Sequence, residues 1–185
     1  MRLVEGIVHV AGGNDRAAEA SAPETAPVFD DVDALVARLD EVASEHGVTV
    51  QAFDAGLVTG REHLERALEL ADRERARGEG IARDRAVEVL LYAAGRRQID
   101  RALELGVGPG ATPAVVLLDA EGEDGDEAAA ADAVRALLEP AETLGDYDPA
   151  RVRAFFDIED AELAATDADL PALVHERVAL LVVNR

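Results

Sequence analysis

A net charge of −21 constrains this chain more than any other feature, because a compact fold brings like charges together. The sequence has 39 acidic and 18 basic residues, and every basic residue is an arginine. At about 1 M salt the Debye length falls to about 3 Å, which screens the repulsion between carboxylates. We therefore predict adaptation to a salt-rich cytoplasm. The alternative is an acidic surface that binds a basic partner.

Composition also limits the class of protein. Apolar residues make up 49% of the 185 residues and aromatic residues only 3%, so alanine, valine and leucine must form the core of a single domain. Cysteine is absent, which excludes disulfides and thiolate chemistry. The first ten residues alternate and include Glu5, unlike a signal peptide. No apolar run approaches the roughly 20 residues of a membrane helix, so we predict a cytoplasmic protein with no membrane segment.

Strand and helix patterns alternate along the chain. Period-two or fully apolar runs predict strands at 3–10, 48–54 and 113–119. Helical spacing and capping residues predict a helix that begins after Asp30 or Asp31 and ends at Gly47, and a helix over 61–77 with Thr59 as N-cap. They also predict helices over 83–94, up to Leu105, up to Leu138, and after Asp148 and Asp169. The pattern indicates an α/β (α+β) fold, with a mixed central sheet of about four to five strands flanked by helices.

Three segments complete this prediction. Residues 11–28 are rich in small residues, glycine and proline, and we predict a mobile loop there. Residues 121–127 (EGEDGDE) form an acidic loop that lacks the ligand pattern of a calcium site. The apolar run VALLVV at 178–183 predicts a central strand at the end of the chain.

No catalytic constellation is visible in the sequence. The four histidines lie on separate predicted elements and lack the spacing of metal ligands. The absence of lysine excludes a phosphate-binding P-loop and a Schiff base. Neither Ser21 nor Ser44 has the context of a nucleophile. We predict a chain that is not an enzyme and uses no cofactor or metal.

The arginines are unevenly distributed. Residues 61–101 hold 10 of the 18 and carry a net charge of +1, whereas residues 1–60 and 102–185 carry −8 and −14. We call residues 61–101 the arginine-rich segment. Helix ion pairs such as Glu62–Arg66 and Glu69–Arg73 would explain it. The other explanation is an anionic ligand, most plausibly RNA phosphate.

The sharpest local motif is AAGRRQI at 93–99. Gly95 is suited to a left-handed helix end, and the pattern predicts a new helix that starts at Arg96. Free amides at a helix start attract anions, and the guanidiniums of Arg96 and Arg97 could hold a phosphate. Gln98 offers a donor and an acceptor to a base or sugar edge.

Two stretches together resemble a known family. They are DAGLVTGREHLERALELA at 54–71 and AVEVLLYAAGRRQIDRALELGV at 86–107, which are similar to the small kinase-binding subunit of the KEOPS complex, the TPRKB family, in its archaeal form. The matching positions are Asp54, Ala55, Val58, His63, Leu64, Ala67, Glu88, Val89, Leu90, Gly95, Arg97, Gln98, Ile99 and Ala102.

The resemblance implies a binding role. KEOPS adds a threonylcarbamoyl group to the adenosine beside the anticodon of tRNA, and its transferase is a different subunit. Proteins of this family bind the atypical kinase, an ATPase that sits on the transferase, and hold tRNA chiefly by its 3′ CCA end. They are not catalysts. Residues 11–28 and 121–127 look like extensions of this chain, and no property of the family is carried over to them.

The motif at 93–99 and the family resemblance together predict the site residues. We predict an RNA-binding site formed by Arg61, His63, Gly95, Arg96, Arg97 and Gln98, with half-buried packing as the alternative role of His63. We predict a kinase interface on the C-terminal segment, with core packing as the alternative, at Leu170, Leu173, Val174, Val178 and Leu181. The alternative function is a small enzyme or binding protein for an anionic metabolite at the Arg96–Arg97 helix start.

Overall fold

The computed structural model describes residues 1–12, 26–120, 122 and 124–183. Most of the predicted loop at 11–28, and positions 121 and 123 of the acidic loop, lie outside the described residues. The chain forms two compact units. The sheet unit comprises Met1–Ala55 and Val107–Thr143, and the helical unit comprises Gly56–Gly106 and Leu144–Arg185. That these units form one domain stays a prediction.

The sheet unit is built on four strands among the described residues. They are β1 (Arg2–Val10), β2 (Val28–Phe29), β3 (Val48–Asp54) and β4 (Gly110–Ala120), in the order β2-β1-β4-β3. Strands β1 and β3 pair antiparallel with β4, and β2 pairs parallel with the end of β1. The sheet is therefore mixed, which confirms the predicted α+β fold class.

The described helices lie between these strands and after the last one: one precedes β3, three lie between β3 and β4, and four follow β4. They are α1 (Val32–His46), α2 (Arg61–Ala76), α3 (Arg85–Ala94), α4 (Ile99–Ala102), α5 (Glu127–Arg135), α6 (Pro149–Phe156), α7 (Asp160–Ala164) and α8 (Leu170–Val183). A single 3₁₀ turn, Leu103–Leu105, continues α4. None of these helices has the length and apolar character needed to cross a membrane.

The core of the sheet unit is aliphatic, as the composition predicts. Helices α1 and α5 pack on the sheet through one face each. The buried side chains on these faces are Leu35, Leu39 and Val42 of α1 and Ala130, Ala131 and Val134 of α5. The central members of this core are Val4, Val8, Leu35, Leu39, Val42, Val116, Leu118 and Val134. Burial of this apolar surface supplies the main favourable term for folding.

The C-terminal segment differs from the prediction. Residues 178–183 are not a strand but the last turns of α8. The Asp169 carboxylate accepts a hydrogen bond from the Ala172 amide (2.9 Å), which starts the helix. The buried side chains, Leu173, Val174, Val178 and Leu181, fall on one helical face. A six-residue apolar run has no periodicity, so only its composition could be used, and that composition favours a strand. Packing against the rest of the helical unit instead gives a helix.

Candidate nucleic-acid interface

The motif at 93–99 ends one helix but does not begin the next one at Arg96. Gly95 adopts a left-handed conformation (φ 60°) and closes α3. The Arg96 amide donates to the Leu91 carbonyl (3.1 Å), which is the bond of a Schellman cap. Helix α4 begins only at Ile99, with Gln98 as its N-cap. The predicted helix start at Arg96 is therefore wrong, and its amide is already used.

Arg96 contributes to the structure around α6. Its Nη2 donates to the Phe155 carbonyl (2.6 Å) and to Oδ2 of Asp157 (2.7 Å). The guanidinium carbon lies 5.9 Å from the centre of the Phe155 ring. A cation at the end of a helix also interacts favourably with the helix dipole. Arg96 thus connects the end of α3 to the end of α6.

Arg97 and Gln98 are exposed beside two exposed apolar side chains. Ile99 is 47% exposed and Leu103 is 58% exposed, four residues apart along one helical stretch. None of the described residues forms an ion pair with Arg97. We call Arg97, Gln98, Ile99 and Leu103 the 97–103 surface. It combines one unpaired cation, one amide and an apolar patch.

A depression lies on the same helical unit. Its volume is about 380 Å³, and its lining includes Arg101 and Glu104 from the stretch that carries Ile99 and Leu103. The other lining residues are Leu57, Arg151, Ala154 and Phe155. A mixed lining of arginine and apolar groups suits an unstacked base better than a bare phosphate, because stacking and base-edge contacts need both.

His63 is fully buried, deeper than the half-buried position predicted. Its Nε2 lies 2.8 Å from the Ala93 carbonyl, and its Nδ1 accepts a hydrogen bond from the Thr59 amide (3.4 Å). These partners assign the proton of the neutral ring to Nε2. Burial lowers the pKa of His63 to about 4, and the nearby His175 acts in the same direction. His63 therefore supports the end of α3 from inside the core.

The start of α2 also differs from the prediction. Gly60, and not Thr59, is the N-cap, and the Thr59 hydroxyl makes no helix-capping bond. Arg61 follows on the exposed first turn and pairs with Glu65 (3.4 Å). Arg61 thus lies at the surface, whereas His63, two residues later, faces the interior.

Gly95 has a second constraint besides its backbone conformation. A Cβ atom at this position would lie 3.1 Å from the carbonyl oxygen of Arg177 on α8 and 3.4 Å from the Arg177 Cβ. The glycine therefore lets the end of α3 approach the backbone of α8. Gly78 also has a positive φ (76°), but a Cβ there would meet no atom within 4 Å.

These two glycines give a matched pair of variants. We expect Gly78→Ala to lower the free energy of unfolding by about 1 kcal/mol through backbone strain alone. Gly95→Ala adds a close contact with Arg177, so we expect a loss of about 3 kcal/mol. Denaturant unfolding of both variants in high salt measures the difference. Equal losses would show that α8 does not require glycine at position 95.

Comparison with known proteins decides the family. The family model described as kinase binding protein CGI-121 matches residues 29–181. This chain belongs to the CGI-121 family. No curated protein matches the chain. The family match covers the 97–103 surface, the end of α3 and most of α8.

As a CGI-121 protein, the chain has a kinase as its expected partner, and α8 was predicted to contact it. Leu173, Val174, Val178 and Leu181 are at most 5% exposed, so the middle of α8 belongs to the core. Leu170 is partly exposed, and Val183 at the other end is 73% exposed. Helix α8 therefore offers a partner its two ends.

Ion pairs account for most of the arginine-rich segment of this CGI-121 protein. Seven of its arginines have a carboxylate partner: Arg61, Arg66, Arg73, Arg77, Arg85, Arg96 and Arg101. Arg66 pairs with Glu69 (2.8 Å), and Arg73 pairs with Glu74 (3.0 Å), so the predicted partners are wrong although ion pairing is right. Arg75 donates to two backbone carbonyls. Arg83 and Arg97 have no ion-pair partner among residues 1–12, 26–120, 122 and 124–183.

Across the described residues, no three His, Asp or Glu side chains are grouped so as to hold a metal ion. Arg97 and Gln98, which the sequence predicts as site residues, lie at the surface. The apolar spacing of Ile99 and Leu103 favours an inward-facing position, and the structure instead exposes both side chains. A helix of four residues is too short for the spacing of its apolar residues to show which face is buried.

Proposed function

We propose that this CGI-121 protein is the non-catalytic subunit of a KEOPS complex that binds the atypical kinase and recruits tRNA, chiefly by its 3′ CCA end. The transferase would be reached through the kinase, and the product would be threonylcarbamoyladenosine beside the anticodon. The family match supports the kinase contact. The observation that carries the RNA contact is Arg97, which pairs with no carboxylate in the described part of the chain, together with Gln98 beside exposed Ile99 and Leu103.

The chemistry of this surface suits a single-stranded end. Phosphate contacts depend on counterion release, and they weaken steeply as salt rises. Base stacking and base-edge hydrogen bonds are less sensitive to salt. The 97–103 surface provides apolar area, one amide and one arginine, and the nearby depression adds Phe155 and Arg101. We propose that Arg97 and Gln98 orient the terminal nucleotides while apolar groups contact the bases.

The remaining predictions belong to the same proposal. The protein would act in the cytoplasm without a cofactor and would not be an enzyme. The alternative function, binding of an anionic metabolite at Arg96 and Arg97, requires free backbone amides at a helix start as well as the two guanidiniums. The Arg96 amide closes α3 and the next helix begins only at Ile99, so that alternative lacks the free amides of a helix start.

Arg97→Ala separates the two contacts. We expect about tenfold weaker tRNA binding, since a hydrogen bond to a charged group contributes roughly 1.5–3 kcal/mol. Kinase binding should be unchanged. The measurement is tRNA affinity together with co-purification of the kinase in high salt. Arg83→Ala is the matched control, because Arg83 is also exposed and also lacks an ion-pair partner among the described residues.

Each outcome has a distinct meaning. Arg83→Ala should change tRNA affinity by less than about twofold, the usual effect of one distant surface charge in high salt. Equal losses in both variants would show that net charge, and not the 97–103 surface, holds the RNA. Failure of the wild-type chain to co-purify with a kinase would contradict the kinase-binding part of the proposal.

A further inference from the structure

An acidic segment at the end of α6 holds three arginines of the helical unit. Asp157 pairs with Arg96 (2.7 Å), and Asp160 pairs with Arg153. Both carboxylate oxygens of Glu162 accept hydrogen bonds from Nη2 of Arg177 (2.7 Å each). The three acidic residues lie within six positions of the chain. They therefore bring carboxylates to guanidiniums that an RNA phosphate could also bind.

The three pairs differ in how firmly they are held. The Asp157 and Asp160 side chains are 69% and 90% exposed, and ion pairs of this kind contribute little to stability. Glu162 is 32% exposed, and its partner Arg177 also donates to the Phe156 carbonyl (3.3 Å). Asp157 and Asp160 can thus be displaced at low cost, whereas Glu162 holds α7 in place.

In both displaceable pairs, the arginine has guanidinium nitrogens that make no hydrogen bond to the described residues. The two described hydrogen bonds of Arg96 come from the same nitrogen, Nη2. The Nε of Arg153 is buried and has no hydrogen-bond partner within the described part of the chain. A buried, unsatisfied charged donor is costly, so the Arg153 side chain gains if it moves to a position where this nitrogen meets an acceptor.

A depression of about 430 Å³ lies at the end of α6, beside two of these groups. Its lining includes Arg153 and Asp157, with Ile158 and Glu159 beside them. Ala150 and Ala154 complete it and leave room above the arginine. A phosphate that entered here would meet Arg153 directly, and it would reach Arg96 by taking the place of Asp157.

We propose that this depression is an RNA-phosphate subsite in which Arg153 and, once Asp157 moves away, Arg96 bind the phosphate. In the free protein, Asp160 and Asp157 pair with these two arginines. The inference rests on the proposed tRNA contact and assigns Arg153 to it as a further residue. RNA must displace two carboxylates, so a polyanion without the contacts at the 97–103 surface gains little by binding. Asp157 and Asp160 therefore lower the affinity for RNA and raise the selectivity for RNA that also contacts the 97–103 surface.

The test compares two doubly substituted proteins with the same change in charge. Asp157→Asn/Asp160→Asn removes the competing carboxylates, and asparagine tolerates the left-handed conformation of position 157 (φ 52°). Asp146→Asn/Asp167→Asn removes two exposed carboxylates for which no arginine partner is described. Affinity for intact tRNA is measured by fluorescence anisotropy at one salt concentration, after thermal melts show that both proteins are folded.

We expect the first double variant to bind tRNA about fivefold more tightly than wild type, and the control by less than about twofold. Adding Arg153→Gln to the first variant should abolish the gain. Equal shifts in both double variants, with wild type still binding tRNA, would overturn the subsite and leave the proposed function intact. Absence of tRNA binding in every protein, wild type included, would overturn the proposed function itself.

If the first double variant did not fold, Arg153→Gln in the wild-type background gives the second measurement. We expect it to weaken tRNA binding about threefold, because phosphate loses one of its two guanidiniums. Unchanged affinity in that variant would contradict the assignment of Arg153.

Discussion

In about 0.1 M KCl the protein is expected to melt at least about 10 °C below its melting temperature in about 2 M KCl. The cause is the net charge of −21, which the unfolded chain spreads over a larger volume than the folded one. At about 0.1 M salt the Debye length is about 10 Å, so neighbouring surface carboxylates repel one another. The surface ion pairs do not compensate, since exposed pairs contribute at most about 1 kcal/mol each.

A variant with fewer charges distinguishes repulsion from other effects of salt. Asp146→Asn/Asp167→Asn removes two exposed carboxylates and leaves the described ion pairs intact. If repulsion is the cause, this variant should reach a given melting temperature at lower salt than wild type. A melting temperature that does not change with KCl would contradict the account of salt adaptation.

Lowering the pH from about 7 to about 4.5 in high salt is expected to remove roughly 2 kcal/mol of stability through His63 alone. The folded-state pKa of His63 is about 4, and the ordinary value is 6.5. Between these values the unfolded chain binds a proton that the folded chain does not. The contribution is therefore fully present above about pH 6.5 and is lost as the pH falls towards 4.

The measurement is the free energy of unfolding at several pH values, for wild type and for His63→Gln. Glutamine keeps a donor near the Ala93 carbonyl but does not titrate. Between about pH 6 and about pH 4.5, wild type should lose about 1 kcal/mol per pH unit more than the variant. Parallel pH profiles would show that His63 takes up a proton in the folded state, which contradicts its buried and neutral assignment.

The sequence predicts those parts of the fold that local chemistry controls. Asp31 and Asp148 cap their helices by hydrogen bonds to backbone amides, and Gly47 and Gly95 end theirs in the left-handed conformation. The three long strands have clear hydrophobic patterns. Each of these features depends on residues close together in the chain, so a single sequence is sufficient to find it.

Features that depend on distant contacts were not predictable. Strand β2 has two residues and exists through its pairing with β1. Helix α7 buries no side chain and is held by the ion pair between Glu162 and Arg177. The C-terminal apolar run becomes a helix because of what it packs against.

The same division applies to the candidate site. Arg97 and Gln98 could be selected from the sequence because they are polar residues after a glycine at a helix end. Arg96 looked equivalent to Arg97, and only its contacts with Phe155 and Asp157 distinguish the two. These partners lie about 60 positions further along the chain, beyond the reach of any local pattern.

Binding of intact and trimmed tRNA in about 2 M KCl tests the central claim most directly. At this salt concentration phosphate contacts contribute little, so affinity must come from the 3′ end on the 97–103 surface. Stacking contributes roughly 1–3 kcal/mol per base, so removal of the terminal CCA should weaken binding by at least about tenfold. Equal affinity for the two RNAs would contradict recruitment of tRNA by its 3′ end.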